Sequence, residues 1–339
     1  MKLDLFDYEL PKELIAQHPK DKRDHSKLLV VDRKLNTTKD LMFYDFLDEL
    51  CENDVLVMNN TKVIPARLIG EKTDTHAVIE VLLLKDLGNN HWEALTKPAK
   101  KVKVGTKISF GNDKLILECI QIKDEGIRIF KTIYEGIFLE VLESLGTMPL
   151  PPYITEKLED PNRYQTVYAK LSGSAAAPTA GLHFTNELLD KIRKKGVLVL
   201  EITLHVGLGT FRPVQVEDIT THQMHHESYE ISEEVAIKLN DSVKNKKRII
   251  AVGTTTVRTL ESNYNNGFTS GNYSTNIFIY PGYKFKVVDS ILTNFHLPKS
   301  SLMMLISAFY NRERILEVYK EAVNKNYRFF SFGDSMFIK

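Results

Sequence analysis

Three stretches of the chain combine glycine and other small residues with side chains that bind ligands or move protons. The first, residues 173–185, reads GSAAAPTAGLHFT and contains one titratable side chain, His183. Small side chains let the backbone approach a ligand closely, and glycine adopts backbone angles that other residues resist. A helix that starts after such a loop offers free N–H groups to an electron-rich ligand. The stretch therefore predicts a ligand-binding loop, although a tight buried turn would have the same composition.

The other two stretches each follow a strand-like run and each contains an arginine. His205 begins one of them, HVGLGTFRPV, and Gly253 begins the other, GTTTVR, after an apolar run at residues 249–252. Loops that follow the strands of an α/β sheet lie at the carboxyl ends of those strands, where proteins of this class bind ligands. The two stretches therefore predict a site at that edge of a sheet.

These three stretches resemble the S-adenosylmethionine:tRNA ribosyltransferase-isomerase family of the queuosine pathway. Further stretches that resemble the family's motifs lie at residues 59–68, 149–154, 163–169, 292–300 and 327–334. They occur in the family's order, so the resemblance covers the whole chain, and only the region from Thr73 to Gly136 carries little of it.

The resemblance implies two substrates, S-adenosylmethionine and a tRNA with 7-aminomethyl-7-deazaguanine at the wobble position. In the implied reaction the ribosyl part of S-adenosylmethionine moves to the aminomethyl nitrogen and rearranges to an epoxycyclopentanediol. Adenine and methionine leave, and the product is epoxyqueuosine in tRNA. S-adenosylmethionine is a substrate here, so no cofactor is expected.

Three histidines lie within family-like motifs and are the candidates for proton transfer: His183, His205 and His296. The implied reaction needs a base near the ribose carbon beside the sulfonium and an acid near the leaving adenine. An imidazole with a pKa near neutrality can serve as either. The alternative for each histidine is that it only holds its loop by hydrogen bonds, and the sequence does not assign acid and base.

Arg258 joins the histidines as a catalytic candidate, and Arg212 is a candidate for substrate binding. A planar fork of donors suits the methionine carboxylate or a tRNA phosphate. The alternative for both arginines is a brace to an acid such as Glu261 or Asp289. The remaining predicted substrate-binding residues are Pro178, Thr179, Gly181, Gly207, Gly209, Thr210, Gly253, Thr254, Thr255 and Tyr168. For the threonines the alternative is helix capping, and for the tyrosine it is core packing.

Two other groups of residues resemble known types of site, a metal site and a hydrolase pair. His222, His225, His226 and Glu227 have a spacing that a metal site can use, but no cysteine or carboxylate at a diagnostic distance supports one, so no metal is predicted. Ser174 and His183 would suit a hydrolase, but the chain lacks the GxSxG elbow.

Composition narrows the class of protein. The 339 residues are 43% hydrophobic and 26% charged, which indicates a packed globular protein. The net charge of +1 does not indicate a general nucleic-acid surface, so RNA would need a local patch. Three lysine-rich clusters are candidates: residues 97–107, 191–195 and 244–248.

The cysteines and the apolar runs point to a cytoplasmic protein. Cys51 and Cys119 lie far apart, which argues against a disulfide framework or a zinc ribbon. No apolar run approaches the roughly 20 residues of a membrane helix. Acidic residues near the N-terminus argue against a signal peptide.

The pattern of elements predicts an α/β protein: a main domain with a mixed sheet flanked by helices, interrupted by a small inserted β-barrel. Short strand-like runs separated by turn residues indicate the barrel at 65–148, and alternating strands and helices indicate the main domain at 1–64 and 149–339. The pattern also predicts a helix over Asp40–Cys51, strands over Ile277–Tyr280 and Ser290–Leu292, and a last element at Phe329–Phe332. Thr185 and Ser232 are the predicted N-caps of two helices, and Gly146 is a predicted helix stop. A non-catalytic tRNA-binding module of the same fold is the alternative function. Oligomeric state and the closure of the two domains do not follow from the sequence.

Overall fold

A computed structural model describes residues 1–207 and 214–339, apart from the side chain of Glu125. The strands in the described part of the chain are β1 (Lys27–Asp32), β2 (Thr37–Met42), β3 (Val55–Asn59), β4 (Thr61–Val63), β5 (Arg67–Lys72), β6 (Val78–Gly88), β7 (His91–Lys97), β8 (Lys107–Phe110), β9 (Leu115–Ile122), β10 (Arg128–Tyr134), β11 (Leu171–Ser174), β12 (Leu198–Leu204), β13 (Glu227–Ile231), β14 (Ile249–Val252), β15 (Gly271–Thr275), β16 (Ser290–Asn294) and β17 (Ser335–Ile338). The α-helices are α1 (Phe138–Leu145), α2 (Asn186–Lys194), α3 (Glu233–Lys244), α4 (Thr254–Asn263), α5 (Ser301–Phe309) and α6 (Arg312–Asn324).

The larger part of the molecule is built on a nine-stranded mixed sheet. The strand order is β15-β13-β12-β3-β14-β16-β17-β1-β2. The central four strands, β12, β3, β14 and β16, are all parallel to one another. Their carboxyl ends therefore meet at one edge of the sheet. Strand β17 runs antiparallel to β16, so Ser335 at its start lies beside Asn294 at the end of β16.

Both faces of the sheet are covered, which explains why the central strands β3, β14 and β16 are buried along their whole length. Along β3, Val55 and Val57 pack into one core, and Leu56 and Met58 pack into a second core on the opposite face. Successive side chains of a strand point to opposite faces, so a continuous apolar run serves both cores. Helices α3, α4, α5 and α6 cover the first face, and α2 with the 3₁₀ segment Phe43–Glu49 covers the second.

The smaller part is a closed antiparallel barrel with the strand order β10-β7-β6-β5-β8-β9. Its strands alternate buried and exposed residues, as a small barrel with a filled interior requires. Gly70 is needed because a Cβ at this position would lie 2.4 Å from the Ser109 carbonyl oxygen. The two connections to the main sheet run side by side, since the backbones of Arg67 and Thr147 exchange hydrogen bonds of 3.2 and 2.8 Å.

Most predicted elements are present, including two helices with the predicted N-caps. The Thr185 hydroxyl accepts from the Leu188 N–H at the start of α2, and the Ser232 hydroxyl accepts from the Val235 N–H at the start of α3. These side chains satisfy backbone donors that the first helical turn leaves unpaired. Gly146 follows α1, as predicted for a helix stop.

Three predicted elements are wrong. Asp40–Cys51 is not an amphipathic α-helix, because its first residues pair with β1 as part of β2 and the rest forms a 3₁₀ segment. Its two buried phenylalanines, Phe43 and Phe46, are three residues apart, which is the 3₁₀ period. Ile277–Tyr280 packs against the core without a strand partner. The last element of the chain is β17, and it follows Phe329–Phe332 rather than coinciding with it.

None of the helices within residues 1–207 and 214–339 has the length and apolar character that crossing a bilayer requires.

Candidate active site

The loops that the sequence singled out lie at the carboxyl edge of the four parallel strands. His205 follows β12, Gly253 follows β14, and Phe295 follows β16. The 3₁₀ segment Thr179–His183 contacts β16 at the same edge. This is the edge at which open α/β sheets bind ligands.

A pocket of about 690 Å³, including the open space at its mouth, lies where these loops meet. Its described lining contains no Lys, Arg, Asp or Glu, and three aromatic residues, Tyr153, Phe295 and Phe330, contribute to the wall. The remaining lining residues are Ala177, Pro178, Thr179, Ala180, Val206, Gly253, Thr254, Thr255, Thr293, Asn294, His296, Leu297, Ser300, Leu302 and Ser331.

Two side chains of this wall carry buried oxygens that have no hydrogen-bond partner within residues 1–207 and 214–339: Thr255 Oγ1 and Asn294 Oδ1. A buried polar atom that stays unpaired costs about 1–3 kcal/mol, so such atoms usually have partners. Their joint presence in the wall of one pocket indicates that a ligand supplies the missing donors. Gly253, with φ of +84°, lets the chain turn from β14 into α4 and brings Thr255 to the pocket.

His296 lines the pocket and is neutral. Its Nε2 lies 3.0 Å from Thr293 Oγ1, and its backbone N–H donates to the Tyr319 hydroxyl at 2.9 Å. Burial lowers the pKa of His296 to about 3, because the interior disfavours the imidazolium. At neutral pH this ring is an uncharged imidazole. It accepts a proton or a hydrogen bond, and it has no imidazolium proton to donate.

His183 lies behind the pocket rather than in its wall. Asn294 Nδ2 donates to its Nε2 at 3.1 Å, so Nδ1 carries the hydrogen and donates to Ser26 Oγ at 2.7 Å. The ring stacks on Phe43 with a centroid distance of 5.0 Å. Burial, followed by the charges of Arg328 and Arg23, lowers the pKa of His183 to about 3. His183 therefore orients Asn294, which leaves the amide oxygen at the pocket.

The two buried histidines predict that acid destabilises the protein. Each is neutral when folded, and each regains a pKa of about 6.5 on unfolding. The unfolded chain thus binds more protons between about pH 3 and 6.5, and the free energy of unfolding falls as the pH falls through this window. Each histidine contributes a slope approaching about 1.4 kcal/mol per pH unit.

Urea unfolding between roughly pH 6.5 and 5, above the range of most carboxylates, measures this slope. We expect His296→Gln to make the slope shallower. His76→Gln is the matched control, because the His76 side chain is 81% exposed and meets water in both states. An unchanged slope in His296→Gln would contradict the assignment of a neutral buried ring.

His205 lies in a second, wider cavity between the main sheet and the barrel. Its Nδ1 is 2.8 Å from Thr61 Oγ1, and burial lowers its pKa. Gly173 packs against this ring, and a Cβ at Gly173 would lie 2.8 Å from it. The cavity is also lined by Gly207 and by barrel residues that include Trp92 and Phe138. Val206 in the first pocket stands between His205 and Gly207 in the second, so the two cavities adjoin.

The three predicted histidines are therefore not in one cavity. His296 lines the first pocket, His205 the second, and His183 a third, smaller one that includes Ser26 and Ser331. Ser331 also lines the first pocket, so the third cavity adjoins it on the side away from Val206.

Arg258 is buried one turn into α4 and does not line the first pocket. It forms an ion pair with Glu227, and both side chains are at most 4% exposed. Its Nε also donates to the Ile277 carbonyl at 3.3 Å. Arg258 therefore braces an acid, which was the alternative interpretation of the sequence. The acid is Glu227 and not Glu261 or Asp289. Glu261 instead accepts from the backbone N–H groups of residues 286–288.

The other predicted site residues fall into three groups. Pro178, Thr179, Gly253, Thr254 and Thr255 line the first pocket, and Gly207 lines the second. Gly181 and Tyr168 lie behind the wall, where a Cβ at Gly181 would be 1.9 Å from the tyrosine oxygen. Gly209, Thr210 and Arg212 lie outside the described residues.

Several wall residues were not singled out from the sequence. Asn294, Thr293 and Ser300 are in a motif from which only His296 was selected. Asn294 is the last residue of the parallel strand β16. The signal that could have identified Asn294 is a polar residue at the end of a buried strand. The strand predicted from the sequence ended at Leu292, two residues before Asn294.

The residues of the possible metal site and of the possible hydrolase pair have other contacts in the structure. Within the described residues, no group of three or more His, Cys, Asp or Glu side chains has the arrangement of a metal site. His226 Nδ1 lies 3.3 Å from Ser274 Oγ, and Glu227 pairs with Arg258. Ser174 donates to the Ala176 carbonyl at 2.6 Å, whereas His183 contacts Ser26, so Ser174 and His183 are not a catalytic pair.

Comparison with known proteins agrees with the motifs. The family model described as queuosine biosynthesis protein matches residues 3–338. Proteins named S-adenosylmethionine:tRNA ribosyltransferase-isomerase from Staphylococcus aureus strains JH9 and Newman are 56% identical over 340 residues, with 100% of each chain covered. A crystal structure of S-adenosylmethionine tRNA ribosyltransferase from Thermotoga maritima is 37% identical, has a TM-score of 0.57, and covers 99% of this chain and 100% of its own. The chain therefore belongs to the queuosine biosynthesis protein family.

Proposed function

We propose that the first pocket binds S-adenosylmethionine and that the second cavity receives the modified nucleotide of a tRNA. The chain acts as an S-adenosylmethionine:tRNA ribosyltransferase-isomerase. It transfers and isomerises the ribosyl moiety onto the aminomethyl group of 7-aminomethyl-7-deazaguanine at the wobble position, and it releases adenine and methionine. As the substrate is tRNA, we place the protein in the cytoplasm.

The observation that carries this proposal is the pair of unpaired oxygens, Thr255 Oγ1 and Asn294 Oδ1, in one uncharged pocket at the sheet edge. Hydrogen-bond acceptors in a buried wall suit the ribose hydroxyls, the adenine amino group and the α-ammonium of the methionine portion.

The charge of the ligand also fits this wall. The sulfonium meets no fixed cation among the described lining residues, and Phe295, Phe330 and Tyr153 offer aromatic faces that attract a cation. The first turn of α4 begins in the wall at Thr254 and Thr255, and its free N–H groups suit the methionine carboxylate.

The position of the second cavity suits the transfer. The aminomethyl nitrogen has to reach the ribose. Val206 lines the first pocket, and its chain neighbours His205 and Gly207 line the second cavity. Trp92 and Phe138, which pack together with a centroid distance of 5.4 Å, give the barrel side an aromatic surface for a base that is turned out of its stack.

The histidines that line the two cavities are the candidates for the proton steps. His296 lines the S-adenosylmethionine pocket and is the candidate base for the acidified ribose carbon. His205 lines the cavity of the incoming amine and is the candidate to keep that nucleophile neutral. His183 positions Asn294 and takes no part in proton transfer.

Adenine release tests this function. The purified protein should release adenine from S-adenosylmethionine only in the presence of tRNA that carries the aminomethyl base. Release with unmodified tRNA, or with no RNA, would contradict the assigned reaction, and the latter would indicate a nucleoside hydrolase.

A non-catalytic tRNA-binding module is the rival, and thermal denaturation separates the two. A protein with a substrate pocket is stabilised by S-adenosylmethionine above its dissociation constant without RNA. A module that only binds RNA shows no such shift.

The barrel supplies a lysine patch for tRNA, defined by Lys100, Lys101 and Lys103, whose side chains are exposed. Replacing all three with Gln should weaken tRNA binding and reduce the slope of log K against log salt by up to about 2–3, because each phosphate contact contributes about 0.7–0.9. S-adenosylmethionine binding should not change.

The matched control is the triple Gln variant of Lys244, Lys246 and Lys247. Lys246 and Lys247 adjoin Ile249 and Ser290, the first residues of β14 and β16, at the sheet edge opposite the pocket. Loss of tRNA affinity in this control, with none in the barrel variant, would move the RNA surface to the opposite edge.

A further inference from the structure

Three arginines converge on the small third cavity, beside the proposed S-adenosylmethionine pocket. Arg23 and Arg163 line it together with Lys20, and Arg328 lies close enough for its charge to act on His183 in the same wall. The arginines come from distant parts of the chain, so only the fold brings them together. The cavity encloses about 290 Å³ including open space.

The guanidinium groups are held by backbone carbonyls and not by acids. Arg23 donates to the carbonyls of Leu182 and Asn162 at 3.1 and 3.0 Å. Arg163 donates to those of Asp21 and Lys20 at 3.1 and 2.5 Å. Arg328 donates to the carbonyls of His18 and Phe332.

The described chain forms no ion pair with any of these three guanidinium groups. No carboxylate there lies within 4.0 Å of any of the three guanidinium groups, although other surface arginines have such partners. Asp160 and Asp334 are the acids whose charges reach Arg23 and Arg328, and the oxygens of both already accept backbone N–H groups. Arg163 Nε is a buried donor that has no hydrogen-bond partner in the described part of the chain.

Like charges gathered in a partly buried site repel one another, and burial disfavours each of them. Both effects lower the pKa of Arg23, with burial first and the charge of Arg163 second. Such a cluster is stabilised when an anion enters it, and planar guanidinium forks match the oxygens of a phosphate.

The place of the cluster along the sheet edge identifies the anion. The three cavities follow the strand order: the barrel-side cavity at β12, the proposed S-adenosylmethionine pocket at β14 and β16, and the arginine cluster near the starts of β17 and β1. A nucleotide that reaches the middle pocket from the barrel side brings its neighbouring backbone across this edge.

We propose that Arg23, Arg163 and Arg328, with Lys20 at the rim, form a binding site for a backbone phosphate of the RNA substrate next to the modified nucleotide. This proposal rests on the proposed function. The site binds the RNA backbone on the side of the pocket away from the barrel. The barrel and the arginine site then contact the RNA on the two sides of the reacting base.

The salt dependence of tRNA binding tests the site. Arg163→Gln should weaken tRNA binding and reduce the slope of log K against log salt by about 0.7–0.9, the contribution of one phosphate contact. Arg163→Lys, which keeps the charge, should retain the slope. The matched control is Arg314→Gln, which removes the same charge from a half-exposed side chain on α6 that pairs with Glu317.

Lys20→Gln provides a second variant that leaves the loop carbonyls braced, since the Lys20 side chain is exposed. It should reduce the slope in the same direction even if Arg163→Gln impairs folding. In both variants the stabilisation of the protein by S-adenosylmethionine should equal that of the wild type.

The outcomes separate this site from the proposed function. Wild-type protein that binds no tRNA would remove the function itself. Wild-type binding with a salt slope that Arg163→Gln and Lys20→Gln leave unchanged would overturn only the phosphate site. Weaker S-adenosylmethionine binding with unchanged tRNA binding would show that the cluster receives the methionine carboxylate, which also overturns it.

Discussion

Arg258→Ala should lower the free energy of unfolding by about 3–5 kcal/mol, because it removes the cation from a buried ion pair with Glu227. Both side chains are at most 4% exposed, so the pair is little screened by bulk solvent. Urea unfolding measures the loss. Turnover should fall as well, since α4 presents Thr254 and Thr255 to the pocket one turn before Arg258.

A second variant separates loss of the pair from loss of a cation. Arg258→Met together with Glu227→Leu removes both charges and keeps most of the volume, and it should recover much of the stability that Arg258→Ala loses. The ion pair joins α4 to the start of β13, and Glu227 also lines the barrel-side cavity. Lost turnover with an unchanged melting temperature would instead give Arg258 a direct role on a substrate, as the motif suggests.

Thr255→Val should reduce kcat/KM for S-adenosylmethionine about tenfold to a hundredfold without lowering stability. The Thr255 hydroxyl has no hydrogen-bond partner among the described residues, so its removal takes no such bond from that part of the fold. A hydrogen bond to a charged group of the ligand contributes about 1.5–3 kcal/mol, which converts to that loss. Steady-state kinetics and thermal unfolding of the same preparation measure the two effects.

The matched control lies next to it in the chain. The Thr256 hydroxyl donates to the Val252 carbonyl at 2.7 Å, and Thr256 does not line the pocket. Thr256→Val should lower stability by about 1 kcal/mol and leave the affinity for S-adenosylmethionine unchanged. If the two variants showed the reverse pattern, the orientation of α4 toward the ligand would be wrong.

Local pattern was sufficient for much of the fold. The capped helices α2 and α3, the buried strand β14 and the alternating strands of the barrel were predicted, because each depends on contacts between residues near in sequence. Phe43–Glu49 was misassigned because a three-residue spacing suits both an α-helix and a 3₁₀ segment. The choice depends on β2 pairing with β1, which is a tertiary contact.

The candidate site was predicted in part. Gly253, Thr255 and His296 were expected, and the structure brings them to one pocket, although their roles stay predictions. His183 and Arg258 were assigned to the chemistry, but one orients Asn294 and the other braces Glu227. No local pattern distinguishes a histidine or arginine in a wall from one behind it, since the distinction depends on which distant partner it meets.

The sequence by itself determined the family, the α/β class with its inserted barrel, and the glycine- and threonine-rich loops that follow the strands. These follow from motifs and from periodicities that short segments carry. Only the tertiary structure decided that the three histidines occupy three adjoining cavities. It also decided that, among the described residues, Thr255 and Asn294 keep unpaired oxygens and three arginines gather without an ion pair to an acid. Burial and partners set proton affinity and hydrogen bonding, and both arise from residues that are far apart in the chain.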